Sequence, residues 1–195
     1  MLHDGAHRMH HDIERILFTE SQIAQRVREL GQQISQDYEK LLGEKIFREP
    51  PIAVGLLRGA VIFLADLARA MPIPLELAFV AISSYGMSSS PGELRVVKDL
   101  EVPVAGRHIL IVEDIVDTGQ TLAHLQELLN ARHPASVKIC ALLDKTPRRA
   151  RAVKLDYVGF TLTEDAFVVG YGLDYAERYR NLPYIAALKQ SAITT

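Results

Sequence analysis

Apolar residues recur at helical spacing along Ile23, Val27, Leu30, Ile34, Tyr38 and Leu41, which predicts an amphipathic helix with one face against a core. Thr19 and Gln22 ahead of it make a T-x-x-Q capping box, and Gly43 stands where the helix should end. The pattern then changes. Ile52 to Leu57 is a short continuous apolar run that reads as a strand, Ala60 to Ala70 regains helical character until Pro72, and Leu75 to Ser83 reads as a second strand. Ile109 to Val112 is too uniformly apolar for a strand with one wet face and suits one covered on both sides, as in a parallel sheet. Leu122, Leu125, Leu128 and Leu129 follow it at helical spacing, and Ser136 to Leu143, Tyr157 to Phe160 and Phe167 to Val169 supply further strands. The alternation predicts an α/β fold, a mostly parallel doubly wound sheet with an appended antiparallel or irregular portion.

Two segments lack any such period. Met1 to Ile13 carries His3, His7, His10 and His11, which a metal site could use, but ligands need a rigid second shell and a polar terminus usually frays. Residues 1–15 are therefore read as an extension and 16–195 as one domain. Between Ser84 and Gly92 the run Ser-Tyr-Gly-Met-Ser-Ser-Ser-Pro-Gly resists packing and predicts a mobile loop, with Leu94 to Lys98 as the returning arm of a long hairpin.

Composition narrows the partners. The 195 residues, 48% hydrophobic and 24% charged, suit one ordinary globular domain, and a net charge of −2 argues against bulk attraction to nucleic acid. The single cysteine, Cys140, lies in an apolar run, so an internal disulfide is excluded and a reducing compartment fits. No apolar run approaches the roughly 20 residues of a membrane span, and the N-terminus lacks a signal-peptide core, so a cytoplasmic location is expected.

The chemistry gathers after Val112. Glu113 and Asp114 emerge at the carboxyl end of the central strand, where ligands of parallel sheets collect, and Asp117-Thr118-Gly119-Gln120-Thr121 turns the chain into the next helix. Such a turn offers successive backbone N–H groups and partial positive charge to an anion such as a phosphate monoester, although Thr118 or Asp117 could equally be a simple N-cap. It is not the nucleoside triphosphate loop, because Gln120 stands where a lysine would help and acidic residues precede it. A phosphate on the turn with carboxylates one strand-end away describes a sugar phosphate whose vicinal hydroxyls Glu113 and Asp114 accept.

This stretch resembles the phosphoribosyl diphosphate signature of type I phosphoribosyltransferases. Gly55-Leu56-Leu57-Arg58-Gly59-Ala60, Ser83-Ser84-Tyr85-Gly86, Leu142-Leu143-Asp144-Lys145 and the run from Phe167 to Tyr184 narrow the resemblance to the bacterial hypoxanthine-guanine phosphoribosyltransferases, from Ile16 onward. The resemblance implies a type I fold with a small hood and a flexible lid hairpin. It implies transfer of the phosphoribosyl group of 5-phosphoribosyl 1-diphosphate to a 6-oxopurine, giving IMP or GMP and diphosphate in purine salvage, through an oxocarbenium-like state. Asp117 becomes the candidate general base, its pKa raised by the adjacent Glu113 and Asp114 charges, with a helix cap as the plainer alternative. Magnesium is implied by the diphosphate, with Asp174, Glu113 and Asp114 as candidate ligands. Leu57, Arg58 and Gly59 match the diphosphate loop, where the family often has lysine and a strained peptide that presents backbone N–H groups. Arg180 matches the family arginine near the diphosphate, or else makes a surface salt bridge. Lys145 is the candidate donor to the purine O6, which selects 6-oxopurines because an amino group would set donor against donor. Phe167 would stack on the base while the Val168 backbone reads its edge; both would otherwise be core. Ser84 and Tyr85 would close over the diphosphate and exclude water.

Two departures stand out: the run Asp144-Lys145-Thr146-Pro147 is one residue longer than the Asp-Lys-Pro form of bacterial relatives, and Thr163-Glu164-Asp165-Ala166 is expanded by one in what reads as a surface turn. A homodimer or homotetramer is the implied assembly. The competing readings are a phosphoribosyltransferase for adenine, orotate or uracil, which has no need of the Lys145, Phe167 and Asp174 arrangement, and a non-catalytic regulator that senses phosphoribosyl diphosphate, which would need a basic face or an added recognition domain.

Overall fold

The structure, a computed structural model, describes residues 10–84 and 94–193. Strand β1 (Ile13–Phe18) leads into helix α1 (Glu20–Leu42), whose capping box is complete: the Thr19 side chain accepts from the Gln22 N–H, and the Gln22 side chain accepts from the Thr19 N–H. Gly43 caps the other end at φ +52°, and a 3-10 turn (Gly43–Phe47) follows. Next come β2 (Ile52–Leu57), α2 (Val61–Ala70), β3 (Glu76–Ser84), β4 (Leu94–Lys98), β5 (His108–Val116) and α3 (Gln120–Asn130). The chain ends with β6 (Ser136–Lys145), β7 (Tyr157–Leu162), β8 (Val168–Val169), β9 (Ile185–Leu188) and a short α4 (Gln190–Ile193).

Six strands form a sheet in the order β4-β3-β2-β5-β6-β7, all neighbours parallel except β3 and β4. Helices α1 and α2 bury Tyr38, Ile34, Phe63 and Leu67 against one face, and α3 buries Leu122, Leu125 and Leu129 against the other. From β2 the chain steps outward to β3, and from β5 it steps the opposite way to β6. The crevice between the carboxyl ends of β2 and β5 is thus the switch point at which doubly wound sheets bind ligands. The remaining strands make a separate antiparallel sheet, β1-β9-β8, which forms the hood.

The extension assigned to residues 1–15 is shorter than expected. Ile13 already pairs with Leu188, Tyr179 Oη donates to Asp12 at 2.7 Å, and His10 Nδ1 lies 2.7 Å from Tyr184 Oη. Glu14 and Arg15 interrupt its apolar residues and none of its residues is buried, unlike the equally short β2, and the partners of β1 lie at the far end of the chain, so no local pattern announced it. Of the other histidines of the segment, His11 is described and exposed, whereas His3 and His7 lie outside the described residues, as do Tyr85 and the rest of the expected lid loop; the hairpin itself is present as the β3–β4 pair, with Ser84 opposite Leu94. Cys140 is free and buried, and its surroundings push the thiol far above its ordinary pKa. Among the described residues no helix is long and apolar enough to cross a membrane.

Candidate active site

Strand β5 runs on to Val116, past the four apolar residues that defined it in the sequence. Because successive residues of a strand face opposite sides, Glu113 and Asp114 point apart instead of emerging together on a loop. Asp114 lies on the crevice side, buried, with its Oδ1 accepting from the Ile115 N–H at 2.9 Å. A Cβ at Gly59 would fall 1.8 Å from Asp114 Oδ2, and one at Gly172 would fall 2.2 Å from the Gly59 carbonyl oxygen. Only glycine lets the loop after β2, the end of β5 and the hood loop stack this closely. The Leu57–Arg58 peptide bond is cis.

The hood loop is wound tightly. Tyr171, Ala176, Glu177 and Tyr179 all take positive φ, which costs about 1 kcal/mol or more each and persists only under external anchorage. The anchors are visible: Tyr171 Oη donates to Asp66 at 2.6 Å, and Tyr179 Oη is held by Asp12. This fixes Asp174, which pairs with Arg180 at 2.8 Å and accepts from the Glu177 N–H at 2.9 Å. Arg180 also donates to the Gly172 carbonyl at 2.8 Å and keeps a buried Nε without a partner among the described residues, so it is more than a surface bridge. The Arg58 guanidinium turns to Glu177 at 2.7 Å. Glu113, Asp114 and Asp174 do not converge as a metal cage; no group of three or more potential ligands does so among the described residues.

After β5 the turn enters α3 with Gly119, at φ +80°, as its N-cap, and no side chain caps the helix. The plainer reading of Thr118 or Asp117 as the cap is therefore corrected. Thr118 Oγ1 reaches only the Gln120 N–H, at 3.4 Å, and the first turn, which includes Thr121, holds no acidic residue. Its N–H groups remain available to an anion.

A cavity of about 240 Å³ opens beside this turn, lined by Asp114, Asp117, Lys145, Arg148, Phe167, Val168 and Asp174, among others. Phe167 is 40% exposed and meets Tyr175 edge to face, so it is a cavity wall and not core. Lys145 is only 5% exposed, and its ammonium lies 2.7 Å from Asp165 and 4.0 Å from Asp117. The expanded turn before Phe167 thus reaches the site instead of merely lengthening the surface. Asp117 carries Arg148 at 3.9 Å as well, so its close charged neighbours are cations and not the carboxylates expected to crowd it. Sequence reasoning passed over Arg148, Arg149 and Asp165. The basic run Pro147-Arg148-Arg149-Ala150-Arg151, directly after Lys145, was the available signal for the first two.

A model of the phosphoribosyl transferase domain matches residues 16–176. The hypoxanthine-guanine phosphoribosyltransferase of Bacillus subtilis is 50% identical over 182 residues, covering 93% of this chain and 96% of that protein. This chain belongs to the hypoxanthine-guanine phosphoribosyltransferase family. Solved structures agree with that assignment. A hypoxanthine phosphoribosyltransferase from Staphylococcus aureus superposes with a TM-score of 0.87 at 40% identity, covering 96% of this chain and 98% of that one. A lysine-to-arginine mutant of the Trypanosoma cruzi hypoxanthine phosphoribosyltransferase, in a ternary substrates complex, gives 0.87 at 39% identity, covering 95% of this chain and 100% of that one.

In this phosphoribosyltransferase the two neighbouring acids of β5 are held against their preference for water. Burial, then the Asp114 charge, pushes Glu113 well above the ordinary carboxylate range, and its Oε2 is buried without a partner among the described residues. Burial likewise pushes Asp114 up to about 6; the Ile115 N–H and Arg180 oppose the rise and Asp174 adds to it. A carboxyl whose folded pKa is raised stabilises the fold while protonated, below the ordinary 3.8, and that contribution is lost as pH rises through about 6. Asp114→Asn should therefore raise the melting temperature of the ligand-free protein at pH 7, a gain of about 2–3 kcal/mol that fades as pH approaches 4. Thermal melts across that range check it, and a variant equally or less stable at pH 7 would contradict the burial cost.

Proposed function

We propose that this chain transfers the phosphoribosyl group from 5-phosphoribosyl 1-diphosphate to hypoxanthine or guanine, releasing diphosphate. One observation carries the reading: a buried ammonium, Lys145, lines the same cavity as a half-exposed aromatic ring, Phe167, and a carboxylate, Asp117, beside a helix N-terminus free of acid. A 6-oxopurine fits that set, with O6 on Lys145, the ring on Phe167 and the ring edge toward the Val168 backbone. Adenine would place an amino group against the ammonium and leave both donors unsatisfied, and a buried unmet donor costs about 1–3 kcal/mol.

The sugar phosphate lies along the switch-point crevice in this reading. The turn Asp117-Thr118-Gly119-Gln120-Thr121 takes the 5-phosphate, Asp114 on the crevice side accepts from the ribose hydroxyls while Glu113, on the opposite side of β5, does not face them, and the backbone of Leu57-Arg58-Gly59 with Arg180 faces the diphosphate. Asp117 takes the proton the purine loses as its ring nitrogen attacks C1. The carboxylates of Asp174 and Asp114 line one cavity and are hard oxygen donors, so these two residues would hold a magnesium ion, which needs few protein carboxylates. When bound, magnesium supplies neutralisation of the leaving group's charge. A homodimer or homotetramer is the expected assembly, read directly by sedimentation velocity.

A panel of radiolabelled bases, assayed with phosphoribosyl diphosphate and magnesium, tests the proposal. Turnover of hypoxanthine or guanine supports it. Turnover of adenine or a pyrimidine instead would assign a different base, and no turnover with retained donor binding would make the chain a sensor. The state of Asp114 adds a pH signature: the Michaelis constant for the donor should rise as pH falls below about 6, where the carboxylate that accepts the ribose hydroxyls becomes protonated.

A further inference from the structure

Three successive carbonyls at the end of β5 are all taken by one segment that follows β6. The Arg149 guanidinium donates from Nε to the Asp117 carbonyl and from Nη2 to the Val116 carbonyl, each at 2.9 Å. The Ala150 and Arg151 N–H groups donate to the Thr118 carbonyl at 3.0 and 2.9 Å. Arg149 is itself held by the carboxylate of Asp144, the residue before Lys145, and is only 20% exposed. The contact is close on the next residue too, where a Cβ at Gly119 would fall 2.5 Å from the Arg151 carbonyl oxygen.

We propose that Arg149 is a positioning residue for the 5-phosphate seat: through Asp144 it ties the strand that carries the base-facing lysine to the back of the turn that receives the phosphate. The inference rests on the reading of that turn given above. A guanidinium suits the task because its planar fork meets two carbonyls and a carboxylate at once, whereas an ammonium is a point donor on a flexible stem. With the carbonyls of Val116, Asp117 and Thr118 fixed from behind, the N–H groups of the first turn of α3, of which among the described residues only that of Gln120 meets a side chain, the long contact to Thr118 Oγ1, are set before the anion arrives, and preorganised donors bind more tightly than donors ordered by the ligand. Arg149 meets no substrate atom in this scheme and acts only through the turn.

The test compares two ligands by calorimetry on the full chain: ribose 5-phosphate, which needs the turn, and magnesium diphosphate, which needs the opposite side of the crevice. Arg149→Met should weaken ribose 5-phosphate by about tenfold and leave magnesium diphosphate unchanged, as loss of charge-assisted hydrogen bonds at one end of the site predicts. Arg149→Lys should recover part of the loss, and Asp144→Asn should reproduce part of it. Equal weakening of both ligands would show a general loss of structure and overturn the proposal, as would unchanged affinity for ribose 5-phosphate. Failure of the unmodified protein to bind ribose 5-phosphate would overturn the phosphate seat itself and the role of Arg149 with it, so the two failures read differently.

Discussion

Asp117→Asn is expected to slow nucleotide formation by about two orders of magnitude or more while phosphoribosyl diphosphate binds nearly as before. The amide fills the same space and can still accept hydrogen bonds, but it cannot take up the proton released by the purine. The geometry sharpens the expectation. Asp117 stands in the turn between β5 and α3, with its carboxylate in the cavity with Phe167 and Lys145. Its buried Oδ1 has no partner among the described residues, so an acceptor is presented without a donor to occupy it. Single-turnover assays set beside donor calorimetry separate the two effects, and near-normal turnover would remove Asp117 from the role of base.

Lys145→Ala should lower kcat/KM for hypoxanthine and guanine by about a hundredfold and narrow the gap between 6-oxopurines and adenine, because the donor that distinguishes them is gone. Folding should suffer far less. The partner left behind, Asp165, is 57% exposed and is rehydrated when the pair breaks, in contrast to a carboxylate stranded in the core. Lys145→Met keeps most of the aliphatic stem and should show the same catalytic defect with a smaller change in melting temperature. Unchanged KM and rate for 6-oxopurines in both variants would move the O6 contact elsewhere.

What the sequence disclosed depended on how local the cause was. Strand Ile52–Leu57, the Thr19 capping box and the Leu94–Lys98 return are each written within a few residues, and the structure has them where the pattern put them. The hood strands β1 and β9 depend on a pairing between the two ends of the chain, so neither shows a signal of its own. The site divides in the same way. Acidic residues and a glycine turn after an apolar strand are visible as types in a row, whereas the orientation of Glu113 away from Asp114 required knowing that β5 continues to Val116. The cations around Asp117 arrive from the end of β6 and the segment beyond it, and only the folded chain brings Lys145 and Arg148 to it.

The hood has a consequence for how the molecule comes into being. Its middle strand is β9, and it alone pairs with both β1 and β8. Strand β8, which follows Phe167 directly, has Val168 opposite Ala187 and Val169 opposite Ala186. During synthesis the six-stranded sheet is complete by Leu162, while β8 has no neighbour to pair with until residues beyond 185 leave the ribosome. A nascent chain can therefore complete its main sheet well before its hood, and the last strand to be made is the one that holds β8, and with it the cavity wall at Val168, in place.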